Sequence, residues 1–188
     1  MLILKSASPR RKQILENLKL TFQVDPSSAN EDVRENELPL EYLKRVTIAK
    51  LELEKSQSEN VYISSDTMVV LGSRILAKPR DFAEGVEILS FLSGKTHSVY
   101  SGLAIGKNGQ ILYDFDETKV EFKALSDAEI KLYLEEAKPY DKAGAYGIQD
   151  VGTPVHGYVG SYTNVMGFPI RKFYQYFSIW EGFLPQRH

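Results

Sequence analysis

The sequence predicts an α/β fold: a mixed sheet with antiparallel hairpins, flanked by helices. Three observations carry that prediction. Strand-like and helix-like patterns alternate along the 188 residues. Asn108-Gly109 sits between two runs of β-formers, where it favours a two-residue hairpin turn. No strand-like run leads into a Gly-x-Gly-x-x-Gly turn, which argues against a purely parallel dinucleotide-binding sheet. The length suits a single domain over residues 1–188, or two lobes sharing a core. No repeat, low-complexity tract or linker divides the chain.

Each element has a local reason. Leu2–Leu4 is a short apolar strand. Ser8-Pro9 supplies an N-cap and a first-turn proline, opening a helix with Ile14, Leu15 and Leu18 on one face. Thr21–Val24 is a second strand, and Asp25–Pro39 is polar and irregular. Over Pro39–Lys55, Leu40, Leu43, Thr47, Lys50 and Leu51 follow the helical period. Val61–Leu71 is rich in β-formers and turns at Gly72-Ser73 into a hairpin partner, Arg74–Ala77. Asp81 and Glu84 have capping-box spacing ahead of Val86, Leu89 and Leu92, and Ser93-Gly94 ends that helix. Ser98–Gly106 and Ile111–Phe122 form the Asn-Gly hairpin, with Thr118, Val120 and Phe122 facing inward. Ser126 opens a further helix, Asp141–Gly160 is Gly-rich, and a last helix starts near Pro169 with Ile170, Phe173, Phe177 and Trp180 as its apolar stripe.

Composition narrows the function classes. There is no cysteine, which excludes disulfides, thiolate metal sites and a cysteine nucleophile, and fits a reducing compartment. No apolar run approaches the ~20 residues of a membrane span, and Met1–Lys5 is too short for a signal sequence, so a cytosolic protein without a membrane partner is expected. The net charge of −2 argues against a nucleic-acid binder. Charge is unevenly spread: residues 1–24 carry five cations and one anion, whereas 25–60 carry nine acids and five bases. A local cationic site on a mildly acidic chain suits a small anionic ligand.

Several residues are candidates for chemistry. Ser8, Arg10 and Arg11 lie at a helix N-terminus, where backbone N–H groups and guanidinium forks match phosphate oxygens. Arginines there oppose the helix dipole unless an anion is bound; the alternative is a capped surface helix with solvated cations. Asp66 interrupts an apolar strand, as a general base, a metal ligand or a structural carboxylate bonded to a loop. Lys50 leans toward the apolar face of its helix, where a snorkelling lysine is the simpler explanation. Lys78 precedes Pro79 after a hairpin, and by itself says little. Glu31-Asp32 offers oxygen ligands for Mg²⁺ or is merely solvated. His97, His156 and His188 lack zinc-ligand spacing, and His97 in the Ser-Gly-Lys-Thr-His turn is a minor candidate for a catalyst. Gln149 ends a small-residue stretch, Asp141–Gln149, as a reader of a base edge or as part of a tight connection.

Taken together, these segments resemble the Maf family of nucleotide pyrophosphatases. The resemblance runs in family order through Ser6–Lys12, Ser65-Asp66-Thr67, Ala77-Lys78-Pro79, Leu92 to Tyr100, Asp141–Gln149 and Gly160 to Pro169. It implies an inosine-triphosphate-pyrophosphatase-like fold with two lobes around a cleft. It also implies hydrolysis of a nucleoside triphosphate to the monophosphate and pyrophosphate, with Mg²⁺ or Mn²⁺. By the same resemblance Asp66 is the proton acceptor and, with Glu31, a metal ligand. Arg10, Thr67 and Gln149 set base specificity, and Ser8, Arg11, Lys50 and Lys78 complete the polar site. Ala143–Gln149 is similar to the branch acting on dTTP and UTP; a sister branch acting on 7-methyl-GTP differs in this stretch. A homodimer is implied too. A nucleotide-binding regulator of cell division without turnover is the different-class alternative. Lys5, Asn30 and Phe168 depart from the usual family residues.

Overall fold

The computed structural model describes residues 1–52 and 59–185. Its strands are β1 (Leu2–Leu4), β2 (Gln23–Val24), β3 (Val61–Leu71), β4 (Arg74–Leu76), β5 (Thr96–Lys107), β6 (Gln110–Phe122) and β7 (Val155–Val159). The main helices are α1 (Pro9–Asn17), α2 (Pro39–Ala49), α3 (Phe82–Leu92) and α4 (Asp127–Ala137), followed by the short α5 (Tyr162–Val165), α6 (Ile170–Gln175) and α7 (Phe177–Trp180). The strands hydrogen-bond in the order β2-β1-β3-β5-β6-β7, with β4 also on β3. β1 is parallel to β2 and β3, whereas β3–β4 and β6–β7 are antiparallel, so the sheet is mixed as expected. The Asn108-Gly109 turn has positive φ at both residues (51° and 74°), the requirement that selects those two residue types.

The chain forms two compact units. The first comprises residues 1–66, 101–116 and 167–188. Ile3, Leu51, Tyr62 and Ala104 are buried together there. α1 inserts Ile14 and Leu15, and α2 inserts Tyr42, Leu43, Val46 and Thr47. Phe173 and Trp180 stack at 4.3 Å, and Arg171 grips the buried Asp116 with two hydrogen bonds of 2.9 and 2.7 Å. The second unit comprises residues 67–100 and 117–166. Its core gathers Ile88, Leu89 and Leu92 of α3, Ile130 and Leu134 of α4, and Val99, Val120 and Phe122 of the strands. Asp81 caps α3 through Glu84 N–H, and Ser126 with Glu129 forms the capping box of α4.

Several sequence expectations are corrected. The second strand shortens from Thr21–Val24 to Gln23–Val24. Helix α2 ends at Ala49; the expected stretch over 53–55 lies outside the described residues. Leu40 is exposed, because the buried stripe of α2 is centred on Tyr42, Leu43, Val46 and Thr47, roughly 90° away at 100° per residue. The last helix breaks at Tyr176, whose N–H bonds the Phe173 carbonyl that also receives the Trp180 indole N–H. Phe177 is consequently turned outward, while Phe173 and Trp180 stay in the core. β7 and α5 arise where the sequence offered only a Gly-rich stretch and its aftermath.

Candidate active site

In the first unit β1 delivers the chain to Ser6 at the threshold of α1. Ser8 takes the extended N-cap conformation, but its hydroxyl makes no cap bond. Instead Ser8 N–H donates to Ser6 Oγ (3.3 Å), which also accepts from Arg11 Nη1 (3.0 Å). Arg11 Nε donates to the Gly167 carbonyl (2.8 Å), and Ser65 Oγ donates to the same oxygen (3.1 Å). Ser6 and the sequence-distant Gly167 carbonyl, itself braced by Ser65, therefore hold Arg11, which is buried. Burial lowers its pKa; the Asp66 charge opposes this, Arg10 reinforces it and Glu31 opposes it. A guanidinium so placed remains charged and rigidly aimed. Arg10, beside it in α1, is half-buried.

Lys50, at the C-cap of α2, points its ammonium at Asp66 Oδ1 (2.5 Å) and Glu31 Oε1 (2.9 Å). It is not a snorkelling lysine: Lys50 and Asp66 are 7% and 5% exposed, so the charged head itself is buried. This pairing explains how an acid survives within an apolar strand, since burying it alone would be costly. Glu31 comes from the irregular loop, so an exposed loop carboxylate and a buried strand carboxylate share one cation. Their joint field reaches neighbouring phenols. The Tyr42 hydroxyl is pushed well up by burial, then by Asp66 and Glu31; Tyr113 is pushed up to about 12 by burial, then by Asp114 and Asp66.

Lys5 is also buried and bonds Asp25 (2.8 Å) and Glu52 (2.7 Å). Burial alone would lower its pKa, but those two acids outweigh it and the net direction is upward.

In the second unit, Thr67 follows Asp66 along β3 and is half-buried. Lys78 is exposed at the exit of β4. Its neighbour Ala77 accepts a hydrogen bond from Gly144 N–H (3.2 Å), which fastens the Gly-rich loop to the Lys78 segment. Gly144 has φ +73°, and a Cβ there would come within 2.9 Å of Val69, so both conformation and space demand glycine. Further on, Tyr133 Oη accepts from Gly147 N–H (3.0 Å) and donates to Asp150 Oδ2 (2.7 Å). Asp150 Oδ1 accepts from Gln149 Nε2 (3.2 Å), while Gln149 itself is exposed. His97 lies in the core, 2% exposed, with Nε2 2.8 Å from Tyr146 Oη and its ring edge-on to Phe122 and Tyr146. Burial pushes its pKa down to about 4, so it is a packing residue in this setting.

Of the sequence-predicted residues, the structure thus joins Arg11, Glu31, Lys50 and Asp66 in one electrostatic cluster, with Ser8 and Arg10 at the adjoining helix start. Thr67, Lys78 and Gln149 belong to the second unit. Sequence reasoning missed Tyr133, Asp150 and the Gly167 carbonyl. Tyr133 belongs to no motif, and a carbonyl carries no sequence signature. Among the described residues, no three His, Asp or Glu side chains are grouped to hold a metal by themselves.

A family profile described as "Maf-like protein" matches residues 1–179. The dTTP/UTP pyrophosphatase of Leptospira interrogans is 48% identical over 98% of this chain and 97% of its own. The dTTP/UTP pyrophosphatase of Thermosipho africanus is 40% identical over 91% of this chain and 88% of its own. Among solved structures, the Staphylococcus aureus Ham1 protein aligns over 64% of this chain and 71% of its own, at 10% identity and a TM-score of 0.47.

Proposed function

The chain belongs to the Maf family, and from that premise we propose that it hydrolyses dTTP and UTP to the monophosphate and pyrophosphate. The observation that carries the reading is the cluster in which the buried Arg11, Lys50 and Asp66 share one field with the exposed Glu31. A triphosphate brings about four negative charges at neutral pH, and more charge gathers on the pyrophosphate as it leaves. Preorganised cations in a partly water-excluded site favour that transition state over the ground state. Arg11 is held by Ser6 and the Gly167 carbonyl, so its orientation precedes substrate binding. Lys50 takes Asp66 Oδ1, and Oδ2 is the oxygen that orients and deprotonates the attacking water. Breakage between the α- and β-phosphates requires that water to lie in line with the leaving pyrophosphate.

The donor set also fits a divalent cation delivered with the nucleotide. Mg²⁺ characteristically binds one or two carboxylates and completes its shell with phosphate oxygens and water. Asp66 and Glu31, already within reach of a single ammonium, are the residues that would hold it. When bound, Mg²⁺ or Mn²⁺ supplies Lewis-acid neutralisation of the phosphate oxygens. Arg10, Thr67 and Gln149 are assigned to the base, and Ser8 and Lys78 to the polar remainder of the site. A cytosolic homodimer spanning residues 1–188 completes the proposal; no helix among the described residues is long and apolar enough to cross a membrane.

A panel of nucleoside triphosphates with Mg²⁺ or Mn²⁺ tests the reading. Monophosphate and pyrophosphate should appear fastest from dTTP and UTP. A preference for 7-methyl-GTP would move the chain to the sister branch, and tight nucleotide binding without turnover would make it a regulator.

A further inference from the structure

We propose that Asp150 is a positioning residue that fixes which edge of the Gln149 amide meets the base. This rests on the reading above, in which Gln149 contacts the base. An amide has a donor side and an acceptor side, and turning it over changes which base it accepts. An ionised carboxylate is acceptor-only, so the 3.2 Å contact between Gln149 and Asp150 Oδ1 is possible only with the Gln149 NH₂ turned toward Asp150. The Gln149 carbonyl oxygen, Oε1, is then the atom presented outward.

The Asp150 carboxylate is itself held on several sides. Its Oδ2 accepts from Tyr133 Oη (2.7 Å) and lies 3.6 Å from Lys142 Nζ. Tyr133 has spent its proton on Asp150, so its lone pair is what receives Gly147 N–H. Gly147 has no side chain where a Cβ would lie 2.6 Å from Asp150 Oδ1, and only glycine leaves room for the carboxylate there. Thr153 Oγ1 closes the turn on the Gly147 carbonyl (2.8 Å). The carboxylate is therefore a built feature of the loop.

An outward acceptor selects a base with a ring N–H. Uracil and thymine carry that donor at N3, between two carbonyls, whereas cytosine N3 is an acceptor and would face Gln149 Oε1 lone pair to lone pair. Asp150 thus sets discrimination of UTP and dTTP against CTP. It does not set discrimination by ring size, which needs a steric wall.

The test measures affinities of the full chain for non-hydrolysable α,β-methylene analogues of UTP and CTP, alongside kcat/KM for UTP and CTP. In Asp150→Asn the neighbouring amide offers donor and acceptor alike, so Gln149 is free to turn over. The preference for the UTP analogue should fall about tenfold, the weight of one lost hydrogen-bond distinction. Much of the change should appear in KM, with kcat for UTP kept within a few-fold. Tyr133→Phe, which leaves Asp150 in place but loosens it, should shift the same ratio by a smaller factor and guards against a misfolded Asp150 variant. If Gln149→Ala changes the UTP-to-CTP ratio while both other variants keep it, the positioning proposal is overturned and base reading by Gln149 stands. An unchanged ratio in Gln149→Ala overturns both, as does a parent protein that binds the two analogues equally.

Discussion

At the scale of single residues, Lys50 and Asp66 illustrate why a buried ion pair is a poor source of stability and a good source of geometry. Each charge loses hydration, and their attraction roughly offsets that loss. Removing one partner is different, because it strands the other. Lys50→Met would leave Asp66 and Glu31 facing each other without their shared cation, and should cost about 3 kcal/mol in urea unfolding. Asp66→Asn keeps the shape and a hydrogen bond to Lys50, so its stability cost should be smaller. Its kcat should nevertheless fall by a factor of about 10² to 10⁴, the usual worth of a general base, with nucleotide binding retained. Full turnover in that variant would remove Asp66 from the base role. The sequence made Asp66 conspicuous, since an acid in an apolar strand demands a partner. It did not reveal that partner. Lys50 is 16 residues away on another element, and the helical period alone made it look like a snorkelling side chain.

At the scale of elements, signals tied to local chemistry were legible. Pro9, Asp81, Ser126 and Asn108-Gly109 each act within a few residues, and each marks an observed helix start or turn. What escaped depended on distant contacts. The break at Tyr176 follows from the indole of Trp180 claiming a backbone carbonyl, and β7 forms because β6 offers it an edge. His97 on β5 belongs to this scale as well, for it links that strand to the Gly-rich loop through Tyr146. Its folded pKa of about 4 lies below the ordinary 6.5, so between those values the unfolded chain binds a proton that the native one refuses. The contribution is fully present above about pH 6.5 and is lost progressively as pH falls toward 4. The loss should reach up to about 3 kcal/mol. His97→Phe should flatten that part of the stability profile measured by chemical denaturation between pH 4 and 7; an unaltered slope would mean that other groups govern it.

At the scale of the whole molecule, a nearly neutral chain concentrates its useful charge. Five of the cations lie in residues 1–24, and two of them, Arg10 and Arg11, open α1 next to an acid-rich stretch that supplies Glu31. The fold turns this uneven sequence into a buried cluster at Arg11, Lys50 and Asp66 and a separately braced loop carrying Gln149. The absence of cysteine excludes a thiolate nucleophile; the proposed attacker is water, and the account stands on where it attacks. Hydrolysis of dTTP in ¹⁸O-labelled water, with products resolved by phosphorus NMR, measures that directly. Attack at the α-phosphorus predicts label in dTMP and none in pyrophosphate. Label in pyrophosphate, or release of orthophosphate with dTDP, would contradict the account.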